Sequence, residues 1–255
     1  MILLCNGDSW TQGDADSQQY SWDSTKSLDW YDIIPNFGEP TCKADDTIRY
    51  KFYDSDVWPK VLGKKLGVET WNCGRNGASN DRIIRSTIHS IEYLESLGKK
   101  DLFIVVGLTS LLRYSVLNNK KKDTWKHYQL EYNDERLNGQ TYPKNVEVKF
   151  KNDLIQIIHL QNYLKMKNIP YLIFNAFDDE MENDLKDLSF YKDIDLNNIY
   201  NKDFKPHYRE FIEKKYNANM FTGSDFFSNR HPTDKSHTEW GKELYKYIRS
   251  NYEIF

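Results

Sequence analysis

Short apolar runs alternate with stretches of helical periodicity along this chain, and that alternation restricts the fold more than any other feature of the sequence. Ile2 to Asn6 reads as a strand, and Pro59 to Leu66 reads as a helix with Pro59 in its first turn and Gly67 at its end. Val68 to Asn72 reads as a second strand. Asp81 to Leu97 reads as a helix with Ile84, Ile88, Ile91 and Leu94 on one face and Gly98 as its stop. Leu102 to Val106 is continuously apolar, as a strand covered on both faces must be, and Gly107 is expected to terminate it. A helix over Val148 to Met166 turns Leu154, Ile157, Ile158 and Leu164 inward. Asn168-Ile169-Pro170 breaks it before a strand over Tyr171 to Phe177, and a last helix runs from Thr233 to Arg249. Strands alternating with helices imply parallel strands joined by right-handed crossovers, hence the α/β class and a three-layer α/β/α sandwich. The 255 residues suit one domain over 1–255, interrupted by insertions over 14–58, 110–146 and 178–227. Each insertion leaves the carboxyl end of a strand, the edge where ligands gather in such sheets.

Charge and cysteine usage exclude several functions. A net charge of -3 and a pI near 6.1 give no basic face for nucleic acid, and Lys120-Lys121-Lys122 reads as a solvated loop. Cys5, Cys42 and Cys73 are too widely spaced for a zinc site or a disulfide framework, which fits a reducing compartment. His89, His127, His159 and His207 lack metal-ligand spacing, so neither a metal nor another cofactor is expected. There is no basic leader before Leu3-Leu4-Cys5 and no run long enough to span a membrane, so a cytoplasmic location with no membrane partner is expected. Eighteen tyrosines and seven tryptophans fall largely outside the core-like segments. They suit either aromatic insertions packed on their own domain or rings that stack on sugars.

Three loops should open on one edge of a parallel sheet. The first, Gly7-Asp8-Ser9-Trp10-Thr11-Gln12-Gly13, places a serine where the first strand ends, with glycines that permit a sharp turn. The second, Asn72 to Asn80, is rich in residues that tolerate unusual backbone angles and aim amides at an anion; Asn80 also suits a helix cap. The third, Gly107-Leu108-Thr109-Ser110, offers hydroxyl donors, and Arg113 just beyond it suits either a substrate anion or a neighbouring carboxylate. A nucleophile, a base and oxyanion donors are what acyl transfer from an ester requires. No P-loop and no G-x-G-x-x-G follows a strand, which disfavours a nucleotide binder.

In this arrangement the chain resembles the SGNH/GDSL hydrolases, serine esterases and acylhydrolases with a flavodoxin-like sheet of about five strands. Gly7 to Gly13 matches the family's G-D-S-x-x-x-G and implies Ser9 as nucleophile. Asn72 with Gly77 matches N-x-x-x-x-G and implies that the Gly77 amide joins that of Ser9 in the oxyanion hole. The third block departs from G-x-N-D: Thr109 stands where the family has its oxyanion asparagine. His231-Pro232 and His237 match the final D-x-x-H-P block, implying His231 as general base, but Ser228 replaces the family aspartate. Asp234-Lys235-Ser236-His237 can also be read as D-x-x-H, which would promote His237. Helical spacing with Trp240, Leu244 and Ile248 instead puts His237 on a buried stripe.

The resemblance implies a Ser9–His231 dyad or incomplete triad that hydrolyses carboxylic esters through an acyl-enzyme, with Thr109 completing the oxyanion hole and Asp8, Arg113, Asp225 or His237 as supporting groups. A small-molecule or glycan ester is the expected partner, with O-acetyl groups of a carbohydrate favoured. The Gly-Leu-Thr-Ser and His-Pro-Thr variants are similar to members encoded by bacteriophages, which would place the protein in a host cytoplasm or virion. The departures at Thr109 and Ser228 leave a second reading, a non-catalytic carbohydrate- or protein-binding module on the same fold.

Overall fold

The computed structural model describes residues 1–13, 56–74, 77–111, 113–117, 125–129, 146–177, 189–205, 207–228 and 230–253. Most of the expected insertion over 14–58 lies outside them. The elements in chain order are β1 (Ile2–Asn6), α1 (Ser9–Gln12), α2 (Trp58–Leu66), β2 (Glu69–Asn72), α3 (Asn80–Ser96), β3 (Leu102–Leu108), β4 (Arg113–Leu117), β5 (Trp125–Gln129), α4 (Val146–Met166), β6 (Tyr171–Asn175), α5 (Tyr208–Tyr216), β7 (Phe227–Ser228), β8 (His231–Pro232) and α6 (Asp234–Asn251). Between β6 and α5 the chain makes short 3-10 turns at Tyr191–Asp193, Leu196–Asn198 and Tyr200–Lys202.

A parallel sheet in the order β2-β1-β3-β6 forms the middle layer, with Ile2 paired to both Glu69 and Leu102 and Ile104 paired to Tyr171. Alternate residues face opposite layers, as the pleat dictates. Leu4, Ile104, Val106 and Ile173 pack with Ile83 and Ile91 of α3 and Leu154 and Ile157 of α4. Leu3, Cys5, Phe103, Val105 and Phe174 pack with Trp58 of α2, Tyr208 of α5 and Trp240 and Leu244 of α6. Burial on both faces explains why these strands read as unbroken apolar runs. Trp240 is fully buried, stacked on Tyr208 at 4.9 Å and edge-on to Phe174 and Tyr200, both at 5.1 Å. α2 and α6 approach so closely that a side chain at Gly241 would meet Val61 at 2.8 Å.

Several expectations are corrected. The sheet of the described residues has four strands rather than about five; beside β6 only Ile199 makes a parallel bridge, to Ile173. The chain coils into 3-10 turns on either side of Ile199, with Asn201 at φ 58, so extended backbone there lasts one residue. Gly107 does not end β3, which continues to Leu108; its missing side chain makes room for Phe174 and Thr11 instead. Within the expected insertion over 110–146, β4 and β5 pair antiparallel. The expected insertion over 178–227 contributes Tyr200, Tyr208, Ile212, Phe226 and Phe227 to the core, so this part of the aromatic excess packs on its own domain.

Candidate active site

Ser9 is the first residue of α1, a single turn placed directly beyond β1. Asp8 caps that turn: its Oδ1 accepts from Trp10 N at 2.9 Å, while its Oδ2 accepts from Thr109 Oγ1 and Arg113 Nη1, both at 2.8 Å. The Asp8 carboxylate is fully buried, and these three donors supply its hydrogen bonds in place of water. The turn before it is fixed by Asn6, whose Oδ1 accepts from Gly7 N at 2.8 Å and whose amide donates to Ile83 O at 3.0 Å and Thr87 Oγ1 at 2.8 Å on α3.

The three loops meet around Thr11. A side chain at Gly7 would lie 2.1 Å from Thr11 Oγ1, and one at Gly74 would lie 2.6 Å from Gln12 N and 2.8 Å from Thr11 C. Asn72 ties the second loop to α1 by donating to Thr11 O at 2.8 Å, and its Oδ1 accepts from Gly74 N at 3.0 Å. Gly77 sits further along this loop at φ 71, a left-handed conformation that glycine adopts freely. As the first helical residue, Ser9 has a backbone N–H without an intrahelical acceptor, which leaves it available to an oxyanion.

His231 reaches Ser9 from the other end of the chain. β7 and β8 form a two-residue ladder that pairs Ser228 with His231, Arg230 turns at φ 65, and His231 Nε2 stands 3.1 Å from Ser9 Oγ. Thr233 N donates to Phe226 O at 3.0 Å and so fixes the hairpin to the start of α6. Residues directly opposite on a ladder share a face, so Ser228 lies on the same face of the hairpin as His231.

Several sequence-predicted groups lie elsewhere or do something else. Thr109 is beside the site, but its hydroxyl donates to Asp8, and its backbone N–H donates to Asn80 Oδ1 at 2.8 Å. A hydroxyl has one proton, so Thr109 in this arrangement supports Asp8 and donates nothing to an oxyanion. Arg113 takes the carboxylate-pairing role, binding Asp8 and lying over the Phe177 ring at 5.3 Å. Asp225 does not orient His231: its carboxylate is 83% exposed and pairs with Lys235 at 3.2 Å. His237 is buried, with Nδ1 3.3 Å from the Tyr208 hydroxyl and Nε2 without a hydrogen-bond partner among the described residues. Burial above all, with the nearby His231 adding to it, lowers His237 to about 3, so it stays neutral. His207 is also structural, its Nδ1 accepting from Glu210 N at the start of α5.

The sequence reading missed what stands behind Thr109. Ser79, rather than Asn80, is the N-cap of α3, and the Asn80 amide donates to Thr109 O at 3.1 Å and to Asp153 Oδ2 at 3.2 Å. Asp153 is ion-paired with Lys149, one turn earlier on α4, and both are buried. Burial raises Asp153 to about 6, against the opposing pull of the Lys149 ammonium and the Asn80 amide. A continuous polar chain thus runs from Lys149 through Asp153, Asn80 and Thr109 to Asp8. Two charges within a stripe that also carries Phe150 and Leu154 were the available signal. A small apolar cavity lies beside this chain, lined by Leu108, Leu111, Leu154, Ile157, Asn175 and Phe204 as well as Thr109, and it does not touch Ser9 or His231.

A parallel sheet between two helical layers has the architecture of the SGNH/GDSL-like α/β/α fold class. The fold supports that class: the chain is similar to the solved structure of a carbohydrate esterase whose active site displays divergent catalytic and non-catalytic binding functions, at a TM-score of 0.51 and 14% identity over 99% of this chain and 66% of that one. The chain therefore spans just under two thirds of that structure's length. It belongs to the family of unknown function DUF6071, whose model matches residues 40–254, a span that includes His231 and leaves Ser9 outside. Two further structures match at lower TM-scores. One is a protein assigned to the G-D-S-L lipolytic family from Desulfitobacterium hafniense DCB-2, at 0.42 and 12% identity over 96% of this chain and 98% of that one. The other is an acetyl xylan esterase from the rumen bacterium Butyrivibrio proteoclasticus, at 0.47 and 15% identity over 98% and 63%. No curated protein matches the chain in sequence.

Proposed function

We propose that the protein hydrolyses carboxylic esters with Ser9 as nucleophile and His231 as general base. The observation that carries this reading is the 3.1 Å contact between Ser9 Oγ and His231 Nε2, made by residues 222 positions apart. His231 takes the Ser9 proton as Oγ attacks the carbonyl carbon, and the resulting oxyanion is held by the backbone amides of Ser9 and Gly77. Collapse expels the alcohol, protonated by His231. Water, deprotonated by the same imidazole, then releases the acid and restores Ser9. The fold likeness to a carbohydrate esterase supports an esterified carbohydrate as the substrate, and O-acetyl is the ester we propose.

Complete burial of Ser9 favours the second reading, a binding module, because a nucleophile must be reached. Hydrolysis of p-nitrophenyl acetate and labelling by a fluorophosphonate probe decide between the two. The esterase reading expects Ser9→Ala and His231→Ala to lose both signals while folded, with His237→Gln retaining them. An unlabelled and inactive wild-type protein establishes the binding module instead.

A further inference from the structure

Arg230 immediately precedes His231 and holds the left-handed conformation, φ 65, that a residue with a side chain adopts at a cost. Its guanidinium lies 5.5 Å from the centre of the Phe221 ring, and Arg209 lies 5.2 Å from the same ring. Phe221 is 61% exposed, one of the few large apolar side chains outside the core among the described residues. The neighbouring carboxylates are occupied: Glu213 binds Arg209 at 3.1 Å and the Met220 amide at 3.1 Å, and Asp225 pairs with Lys235 at 3.2 Å. Arg230 forms no ion pair with any described residue. An uncompensated cation over an exposed ring, one residue from the imidazole that contacts Ser9, is a place for a ligand with an apolar face and an anionic group.

We infer that the alcohol half of the substrate is a sugar bearing a carboxylate, with Phe221 beneath the C–H face of the ring and Arg230 bound to the carboxylate. This rests on the esterase reading above and names its substrate class. A planar carboxylate matches the two parallel N–H groups of a guanidinium, and the ring beneath limits the positions that guanidinium can take. The same chemistry would bind a sulfated sugar, so the test distinguishes the two.

The experiment compares release of acetate from an O-acetylated uronic acid methyl glycoside, its neutral carboxyl methyl ester and a sulfated sugar acetate, using wild-type protein and Arg230→Gln. The wild type is expected to prefer the acid over its methyl ester by roughly ten- to a hundredfold in kcat/KM, the range of one charge-assisted pair. The preference should reside in KM and shrink as salt rises. In Arg230→Gln the ratio should fall toward unity, a change in selectivity that a general loss of structure does not produce. Equal rates on acid and methyl ester, or an unchanged ratio in Arg230→Gln, overturn the inference, and preference for the sulfated acetate reassigns the anion. If the wild type also fails on p-nitrophenyl acetate, the esterase reading has failed. Calorimetric titration of Ser9→Ala with the acidic and neutral glycosides then decides the subsite alone: tighter binding of the acid upholds it, and equal binding overturns it.

Discussion

Thr109→Val separates two roles that one hydroxyl could hold. In the structure Thr109 Oγ1 donates to Asp8 Oδ2 at 2.8 Å, in a site where both residues are buried. Valine keeps the branched shape and removes the donor, leaving Asp8 with Trp10 N and Arg113. A hydrogen bond to a charged group contributes about 1.5–3 kcal/mol, so stability should fall by that amount. For a domain of this size that corresponds to a melting midpoint lower by about 3–12 °C. The activity of the folded variant should fall by less than about tenfold, because in the proposed mechanism the oxyanion is held by backbone amides that the substitution leaves in place. A lost oxyanion donor costs roughly a hundred- to a thousandfold in kcat instead. Thermal unfolding alongside p-nitrophenyl acetate kinetics below both midpoints reads the two effects. A hundredfold fall in kcat with an unchanged midpoint would refute the assignment of Thr109 to Asp8.

Gly74→Ala should impair the site from outside it. The new side chain would lie 2.6 Å from Gln12 N and 2.8 Å from Thr11 C, backbone atoms of the turn that carries Ser9. Overpacking of this kind costs about 1–3 kcal/mol, and a displacement of about 1 Å at the nucleophile costs on the order of a hundredfold in rate. Activity and melting midpoint measured together check it, and full activity would show that the turn can yield. The buried Asp153 makes a prediction about pH. Its folded value of about 6 lies above the ordinary 3.8, so the folded state binds the proton more tightly and this residue's contribution is largest below the unfolded value. That contribution is lost as pH rises toward and through 6. The midpoint difference between wild type and Asp153→Asn should therefore widen in favour of wild type as pH falls from 7 to 5. A constant difference across that range would count against it.

The layers of this fold were legible because burial on both faces writes itself as unbroken apolar runs, as in Leu102 to Val106. The same logic placed His237 correctly on the buried stripe with Trp240 and Leu244. Ser9 stood out by its place after a strand, and His231 by its match to the H-P block of the resembled family together with its place before a helix. The direction of a short polar side chain was not: whether the Thr109 hydroxyl points at substrate or at Asp8 depends on a carboxylate 101 positions away. Asp225 illustrates the same limit, since proximity in sequence to His231 did not keep its carboxylate from the exposed Lys235. The shortened sheet was illegible for a related reason: Ile199 is apolar enough for a strand, but the turns around it leave only one residue extended.

Because Ser9 lies in the first loop and His231 in the last hairpin, their contact closes nearly the whole chain into one loop. Closing a loop of that length carries an entropy cost that ordering of the intervening segments reduces, so the contact is expected to form late. Tryptophan burial around Trp240 and Trp58 requires the sheet and α6, whereas the Ser9–His231 contact also requires the β7–β8 hairpin to settle against α1. The Ser9–His231 contact is thus a property of the completed topology: during refolding, its recovery should mark the arrival of the last element rather than the collapse of the core.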